Sequence, residues 1–167
     1  LAWVKERNAE SEKRLKDNSV YKTTEKDIRR ILLAKDRLPF VSYAKGYLYN
    51  FWQDEKNVRG IYRRAKLDDY KKAIVPWETI LDLDQLSKRE NENWVWKGLT
   101  CLSPEERLCL LKLSRGGKDA TVIREFDIEA KSFVKNGFTL TEAKSDANWV
   151  SQNQLFVSTD FGPGTMN

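Results

Sequence analysis

The stretch from Trp94 to Phe126, WVWKGLTCLSPEERLCLLKLSRGGKDATVIREF, holds three short runs rich in aromatic and aliphatic residues, separated by turn residues. Their alternating pattern predicts strands over 94–102, 108–113 and 120–126, because successive side chains of an extended chain point to opposite faces. The intervening segments carry turn chemistry: Ser103-Pro104-Glu105-Glu106-Arg107 in one case, and in the other Ser114 to Asp119, where two adjacent glycines mark a hairpin. A fourth strand is expected at 131–134. Four short antiparallel strands in a unit of about 40 to 50 residues is the spacing of a propeller blade.

The same pattern extends to both sides. Towards the N-terminus, strands are expected at 40–44, 47–53, 59–65 and 78–82, with a charged loop from Ser87 to Asn93 before the next unit. Towards the C-terminus a third set begins at Asn148-Trp149-Val150, continues through Leu155-Phe156-Val157 and reaches the turn Gly162-Pro163-Gly164. Residues 1 to about 36 read as two helices. Leu1, Val4, Asn8 and Leu15 recur at helical spacing, and a second stretch runs through Ile28, Ile31 and Leu32, with Thr24 and Asp27 as its expected cap and Leu38-Pro39 as its stop. The expected fold is mainly β with N-terminal α-helices, a partial propeller of two to three blades. Its parts are a helical segment at 1–37, a first blade at about 38–86, a second at about 93–136 and the start of a third at about 144–167. A propeller closes with roughly four to eight blades. The chain is therefore expected to be part of a longer protein, a view that fits an opening Leu1 rather than an initiator Met. Its uncovered edges and faces favour self-association.

Composition narrows the chemistry. The 167 residues, 40% hydrophobic and 33% charged, fit one soluble domain of ordinary size or a piece of a larger one. Histidine is absent, so neither a Ser-His-Asp triad nor a Cys-His dyad can be assembled from this chain alone. Two cysteines are too few for a disulfide framework or a four-thiolate metal centre. The net charge of +5 divides into +4 over residues 1–37, +2 over 38–97 and −1 over 98–167, so the excess lies on the helical segment rather than on a body-wide basic patch. No apolar run approaches the roughly 18 residues of a membrane span, and no signal-peptide pattern opens the chain. Neither a membrane nor a nucleic-acid partner is expected, and the compartment stays open between cytoplasm and periplasm.

Several clusters invite a functional reading. Ser114 to Asp119 suggests a phosphate cradle, but Asp119 follows Lys118 where a P-loop has Ser or Thr, and a hairpin turn is the better reading. A hairpin centred on Glu105 sets Cys101 and Cys109 opposite each other, which leaves open a cross-strand disulfide or a pair of small buried apolar residues. Arg29-Arg30, Arg63-Arg64 and Lys71-Lys72, near Tyr62 and Tyr70, would suit single-stranded nucleic acid; solvation, or pairing with Asp68, Asp69 and nearby acids, is favoured. Asp82 and Asp84 share one face of an extended strand, as paired general acid and base would, yet nothing nearby supports hydrolysis and a strand-edge role is favoured. Trp94 and Trp96 share a face and Trp149 recurs in the next unit, which predicts packing between blades.

Tyr49-Asn50-Phe51-Trp52 with Arg59-Gly60-Ile61-Tyr62-Arg63-Arg64, Glu92 to Gly98, Ser114 to Ala120 leading to Arg124-Glu125-Phe126-Asp127, and Thr159 to Gly164 together resemble the N-terminal part of bacterial prolyl oligopeptidase family serine peptidases. The opening Ala2 to Asn8 resembles that family's N-terminal helix. Val58 and Thr141 stand where the family pattern has proline. The resemblance implies a seven-bladed propeller that gates the access of short peptides to a separate C-terminal α/β-hydrolase domain, which cleaves after proline or a related residue. That domain would hold the Ser, Asp and His. No G-x-S-x-G elbow occurs in this sequence, so this chain alone is expected to be no enzyme. No catalytic, cofactor or metal residue is assigned and no cofactor is expected. The family's hydrophobic substrate contact would fall near Lys144 to Asp146, which is polar here, so substrate-binding residues are unassigned. The alternative is a self-contained β-repeat module that binds a protein partner.

Overall fold

The computed structural model describes residues 1–34 and 36–164, and the chain forms two compact units, Leu1–Leu38 and the part from Pro39 onward. In the first unit, α1 (Ala2–Lys16) and α2 (Ser19–Leu32) are separated by Asp17 and Asn18. Asn18 starts α2 as residues of its type do, with a side-chain cap. Its backbone is extended and its side-chain oxygen accepts a bond from the Val20 amide at 2.8 Å. Thr24, expected to cap this helix, lies inside it, because Asn18 supplies the cap six residues earlier. Arg29 and Arg30 occupy the last turn of α2, where cations offset the negative end of the helix dipole.

The second unit carries the sheets. The first is antiparallel, in the order β1 (Ser42–Ala44), β2 (Tyr47–Trp52), β3 (Ile61–Lys66) and β4 (Glu78–Asp82). A short helix, α3 (Leu67–Tyr70), follows β3. After β4 comes a helix that alternation had concealed, α4 (Leu83–Glu90). Asp82 caps it through the Gln85 amide at 2.9 Å, and Asn91 ends it in the left-handed region at φ 52°. Both are residue types suited to those positions. Asp82 and Asp84 are thus a helix cap and a first-turn residue, not two carboxylates on one strand face. The loop expected from Ser87 is the C-terminal half of α4, held because Leu83 and Leu86 are buried one turn apart.

The second sheet contains β5 (Trp94–Cys101), β6 (Leu108–Arg115) and β7 (Thr121–Asp127), followed by β8 (Ser132–Phe133) and β9 (Thr139–Ala143), both paired with β7. The expected fourth strand is therefore in two pieces, and the sheet runs to Ala143 rather than ending near 136. Glu125 holds the break together. Its backbone bonds to Val134 and Phe138, and its carboxylate accepts from the Phe138 amide at 2.8 Å. A hairpin of β10 (Asp146–Ser151) and β11 (Gln154–Ser158) begins a third sheet. Cys101 and Cys109 are cross-strand partners joined by a disulfide, the first of the two readings left open for them.

Strand alternation makes the second sheet a middle layer. Cys109, Leu111 and Leu113 of β6 join Val122 and Phe126 of β7 in a core shared with Tyr49, Leu81, Leu83 and Leu86 of the first blade. Leu110 and Ile123 point the other way and pack with Ala147, Trp149 and Leu155 of the third. Aromatic stacking reinforces the first interface. The Trp96 ring lies 4.8 Å from Phe51 and 5.1 Å from Tyr62. Trp149 closes the second, donating to the Thr100 carbonyl at 3.0 Å.

One buried cation crosses the first interface. Arg64, 5% exposed, binds Glu78 of its own sheet at 2.7 Å and Glu129 from beyond β7, with its guanidinium 4.3 Å from the Tyr47 ring. Bonding to Arg64 is the main cause that holds both glutamates below their usual range. A carboxylate with a depressed folded pKa stabilises the fold above its unfolded value and loses that contribution as pH falls through the folded one. The Arg64→Met variant is expected to cost about 2 kcal/mol near neutral pH, below the usual penalty of a broken buried pair because both glutamates rehydrate. It is also expected to flatten the loss of stability below about pH 4.5. Denaturant midpoints of both chains across pH 3 to 7 (about the range in which carboxylates titrate) check both effects, and an unchanged acid limb would refute the assignment.

Gly60 supplies a second test. Its φ is +105°, and a Cβ added there would collide with Phe51 Cζ, on the ring that stacks against Trp96. Gly60→Ala is expected to destabilise by about 3 kcal/mol, combining an unfavourable backbone conformation with overpacking. Its denaturation midpoint reads this directly.

Candidate functional site

A concave surface between the first two blades, about 440 Å³, is lined by Phe51, Gln53, Val58, Arg59, Asp84, Trp94, Val95 and Trp96. Four elements meet there: the end of β2, the loop into β3, the first turn of α4 and the start of β5. Asp84 fixes the loop, accepting from the Arg59 amide at 3.0 Å and 3.2 Å through its two oxygens. The Arg59 guanidinium then reaches across to the Asn93 side chain and, at 3.3 Å, to the Trp94 carbonyl. Trp94 is pinned by its own ring N–H, which donates to Glu90 at 2.9 Å, and by Arg115, 4.8 Å from its ring centroid. The wall is aromatic with one cation and one carboxylate, both committed to protein partners. Such a surface can hold an extended or aromatic group by packing and backbone contacts. It pairs no nucleophile with a base.

The phosphate cradle does not form at Ser114 to Asp119. Gly116 and Gly117 take left-handed conformations in the β6–β7 hairpin, the Gly116 amide donates to the Asn93 carbonyl at 2.7 Å, and the Ser114 hydroxyl donates to the Lys118 carbonyl at 2.7 Å. No cluster of three or more His, Cys, Asp or Glu residues of the kind that holds a metal ion occurs among the described residues, and no described helix is long and apolar enough to cross a membrane. Within the polar stretch Lys144 to Asp146, to which no substrate role was assigned, Asp146 is bound to Lys112, which is the main cause of its lowered pKa. It serves the contact between the second and third sheets.

The basic pairs part company. Lys71 and Lys72 pair with Asp68 and Asp69, as expected, and Arg30 with Asp27 at 3.5 Å. Arg64 instead finds Glu78 and Glu129. Arg63, its neighbour on β3, faces the other side of the sheet and lies between two indoles, 4.5 Å from the Trp52 centroid and 4.3 Å from Trp77. Its Nε donates to Asn50 Oδ1 at 2.9 Å, and burial holds its pKa down to about 10. Sequence reasoning took Arg63 and Arg64 as one basic unit. Period-two alternation was the signal that separates them. Tyr62, just before them in sequence, is desolvated against the second blade, and its pKa is pushed above the usual tyrosine range.

The architecture has relatives. Residues 1–163 match the family model described as the prolyl oligopeptidase N-terminal beta-propeller domain. The chain is 42% identical over 165 residues to an uncharacterized peptidase of Sinorhizobium fredii, with 98% of this chain and 23% of the relative covered. It is 39% identical over 138 residues to an uncharacterized peptidase of Rickettsia prowazekii, covering 83% of this chain and 19% of the relative. Among solved structures, a post-proline cleaving enzyme from Rickettsia typhi superposes with a TM-score of 0.83 at 36% identity, over 92% of this chain and 23% of that one. Oligopeptidase B from Leishmania major, at 17% identity and a TM-score of 0.53 over 80% of this chain and 20% of that one, shares the fold. The chain thus spans about a quarter or less of the length of the curated relatives it matches. The sheet order, the packing of blade on blade and these matches lead to one conclusion: the chain belongs to the prolyl oligopeptidase family, as its N-terminal β-propeller region.

Proposed function

We propose that this chain is the non-catalytic, gating part of a longer serine peptidase, in which a completed propeller admits short peptides to a C-terminal α/β-hydrolase domain and excludes folded proteins. The observation that carries the reading is the match to the propeller model over residues 1–163 in a sequence without histidine. Acyl transfer by a Ser-His-Asp triad needs an imidazole to take the nucleophile's proton. The chain offers none, so the triad belongs to the part of the parent outside these residues. Similarity to a post-proline cleaving enzyme supports proline as the residue before the cleaved bond.

The exclusion is mechanical. A propeller surrounds a central channel, and the walls of that channel are as rigid as the contacts between blades. Those contacts here are large side chains interlocked on both faces of the second sheet, with Arg64 tying the first blade to the second. The helical unit is the surface we assign to the hydrolase domain. Tyr21, Ile28, Leu32 and Leu33 line an apolar groove of about 540 Å³ on α2. An exposed apolar surface of this kind is one that a stable partner covers.

Kinetics on two proteins test the proposal. The full-length parent is expected to cleave a short peptide on the carboxyl side of an internal proline and to leave the same bond intact within a folded protein. Residues 1–167 alone are expected to turn over neither. Turnover by this chain alone would refute the non-catalytic reading, and equal cleavage of the folded protein by the parent would refute gating.

A further inference from the structure

Arg63 sits against two indole rings, and the Asp54 carboxylate acts on it without forming an ion pair. Its guanidinium carbon lies 4.5 Å from the Trp52 centroid and 4.3 Å from that of Trp77, and Asn50 accepts from its Nε. Asn50 is itself anchored, donating to the Phe40 carbonyl at 2.8 Å. The remaining edge, Nη1 and Nη2, has no hydrogen-bond partner and no carboxylate at ion-pair distance among the described residues. A guanidinium packed against two rings and held through Nε, with its outer fork unused, is preorganised for end-on binding of a carboxylate. Such preorganisation lowers the ordering cost of the partner that completes it.

The position of that fork identifies the partner. Strand alternation puts Arg64 on the side of the first sheet that meets the second blade and Arg63 on the opposite side. All four strands of the first sheet come from one continuous segment, Ser42 to Asp82, which is the strand complement of a whole blade. A propeller ring that starts with this blade closes on it by side-chain packing alone. The curated relatives matched here are more than four times as long as the matched segment, which is ample for the missing blades.

On the propeller reading the outer face of the first sheet meets the last blade of the ring, and we infer that this last blade presents an Asp or Glu carboxylate to Nη1 and Nη2 of Arg63. The inference rests on the propeller reading proposed above. Trp52 and Trp77 exclude water from the flanks of the pair, and a charge-assisted bond in such surroundings is stronger than one at an open surface. The junction of the two blades then has one directional contact among non-directional ones, and that contact fixes how the last blade seats on the first.

The intact parent provides the test. Its experimental structure is expected to show a carboxylate of the last blade within about 4 Å of the Arg63 fork, the distance that defines an ion pair. In the same protein, Arg63→Met is expected to raise hydrogen exchange at the amides of β2 and β3 by roughly tenfold, the change that corresponds to one strong charge-assisted bond. Arg63→Lys, which keeps the charge but not the fork, should fall between the two. The excess exchange of the Met variant should disappear as pH drops below the usual carboxylate range, because the parent protein then loses the same contact. Asp54 is a carboxylate of the first blade that also acts on Arg63, so the comparison is made in an Asp54→Asn background, where a merely local role would give an effect independent of pH and would overturn the inference. So would a complete ring in which the Arg63 fork faces water, an uncharged surface, a bound peptide or a second copy of the protein. A parent without further blades would instead overturn the propeller reading itself, so the two failures are told apart.

Discussion

Burial of both faces of the second sheet is the constraint on which the rest of this structure depends. A sheet with one wet face can alternate apolar with polar residues, but β6 places Leu110 on one side and Cys109, Leu111 and Leu113 on the other, all of them inaccessible to solvent. Such a strand is stable only between two neighbours. The first blade supplies one through Tyr49, Leu81 and the α4 leucines, and the β10–β11 hairpin supplies the other through Ala147 and Trp149. Radial repetition follows from this local condition, since each added sheet covers one face and exposes another until a ring closes.

Strand β3 shows how the same geometry distributes charge. Arg63 and Arg64 are adjacent, chemically identical and on opposite faces. Arg64 is deeply buried and meets two carboxylates whose pKa values fall in response, the arrangement that makes burying a cation tolerable. Arg63 is desolvated by aromatic rings instead, which offer quadrupole attraction but no full countercharge. The difference comes from what each face packs against, since the backbone treats both residues alike.

Much of this was legible in the sequence, and the parts that were not share a physical cause. Runs such as 108–113 and 120–126 alternate strongly and are strands. The helix α4 was hidden because Leu81-Asp82-Leu83-Asp84 continues the alternation of β4; only the capping bond of Asp82 and the spacing of Leu83 and Leu86 mark the change to a helical period. The split of the fourth strand into β8 and β9 depends on the Glu125 side chain bonding the backbone amide of Phe138, which no periodic signal encodes. Register placed Cys101 opposite Cys109, but proximity alone does not tell a bond from two packed thiols. The cage around Arg63 was invisible for a topological reason. Trp52 and Trp77 lie far from it in sequence, and only the fold of the first sheet brings them to its two sides.

The ion pairs between blades have a role that their modest energies conceal. Apolar burial is non-directional and scales with area, so two leucine-rich sheet faces lose little when one slides or rotates slightly on the other. A guanidinium or ammonium that must meet a carboxylate tolerates no such freedom. Arg64 with Glu129 fixes the first sheet on the second, and Lys112 with Asp146 fixes the second on the third, each within or beside an apolar contact. In a ring, small angular errors accumulate from blade to blade and must sum to closure. Directional bonds at each interface limit each error where it arises, and the hydrophobic faces then supply the affinity for an orientation already chosen.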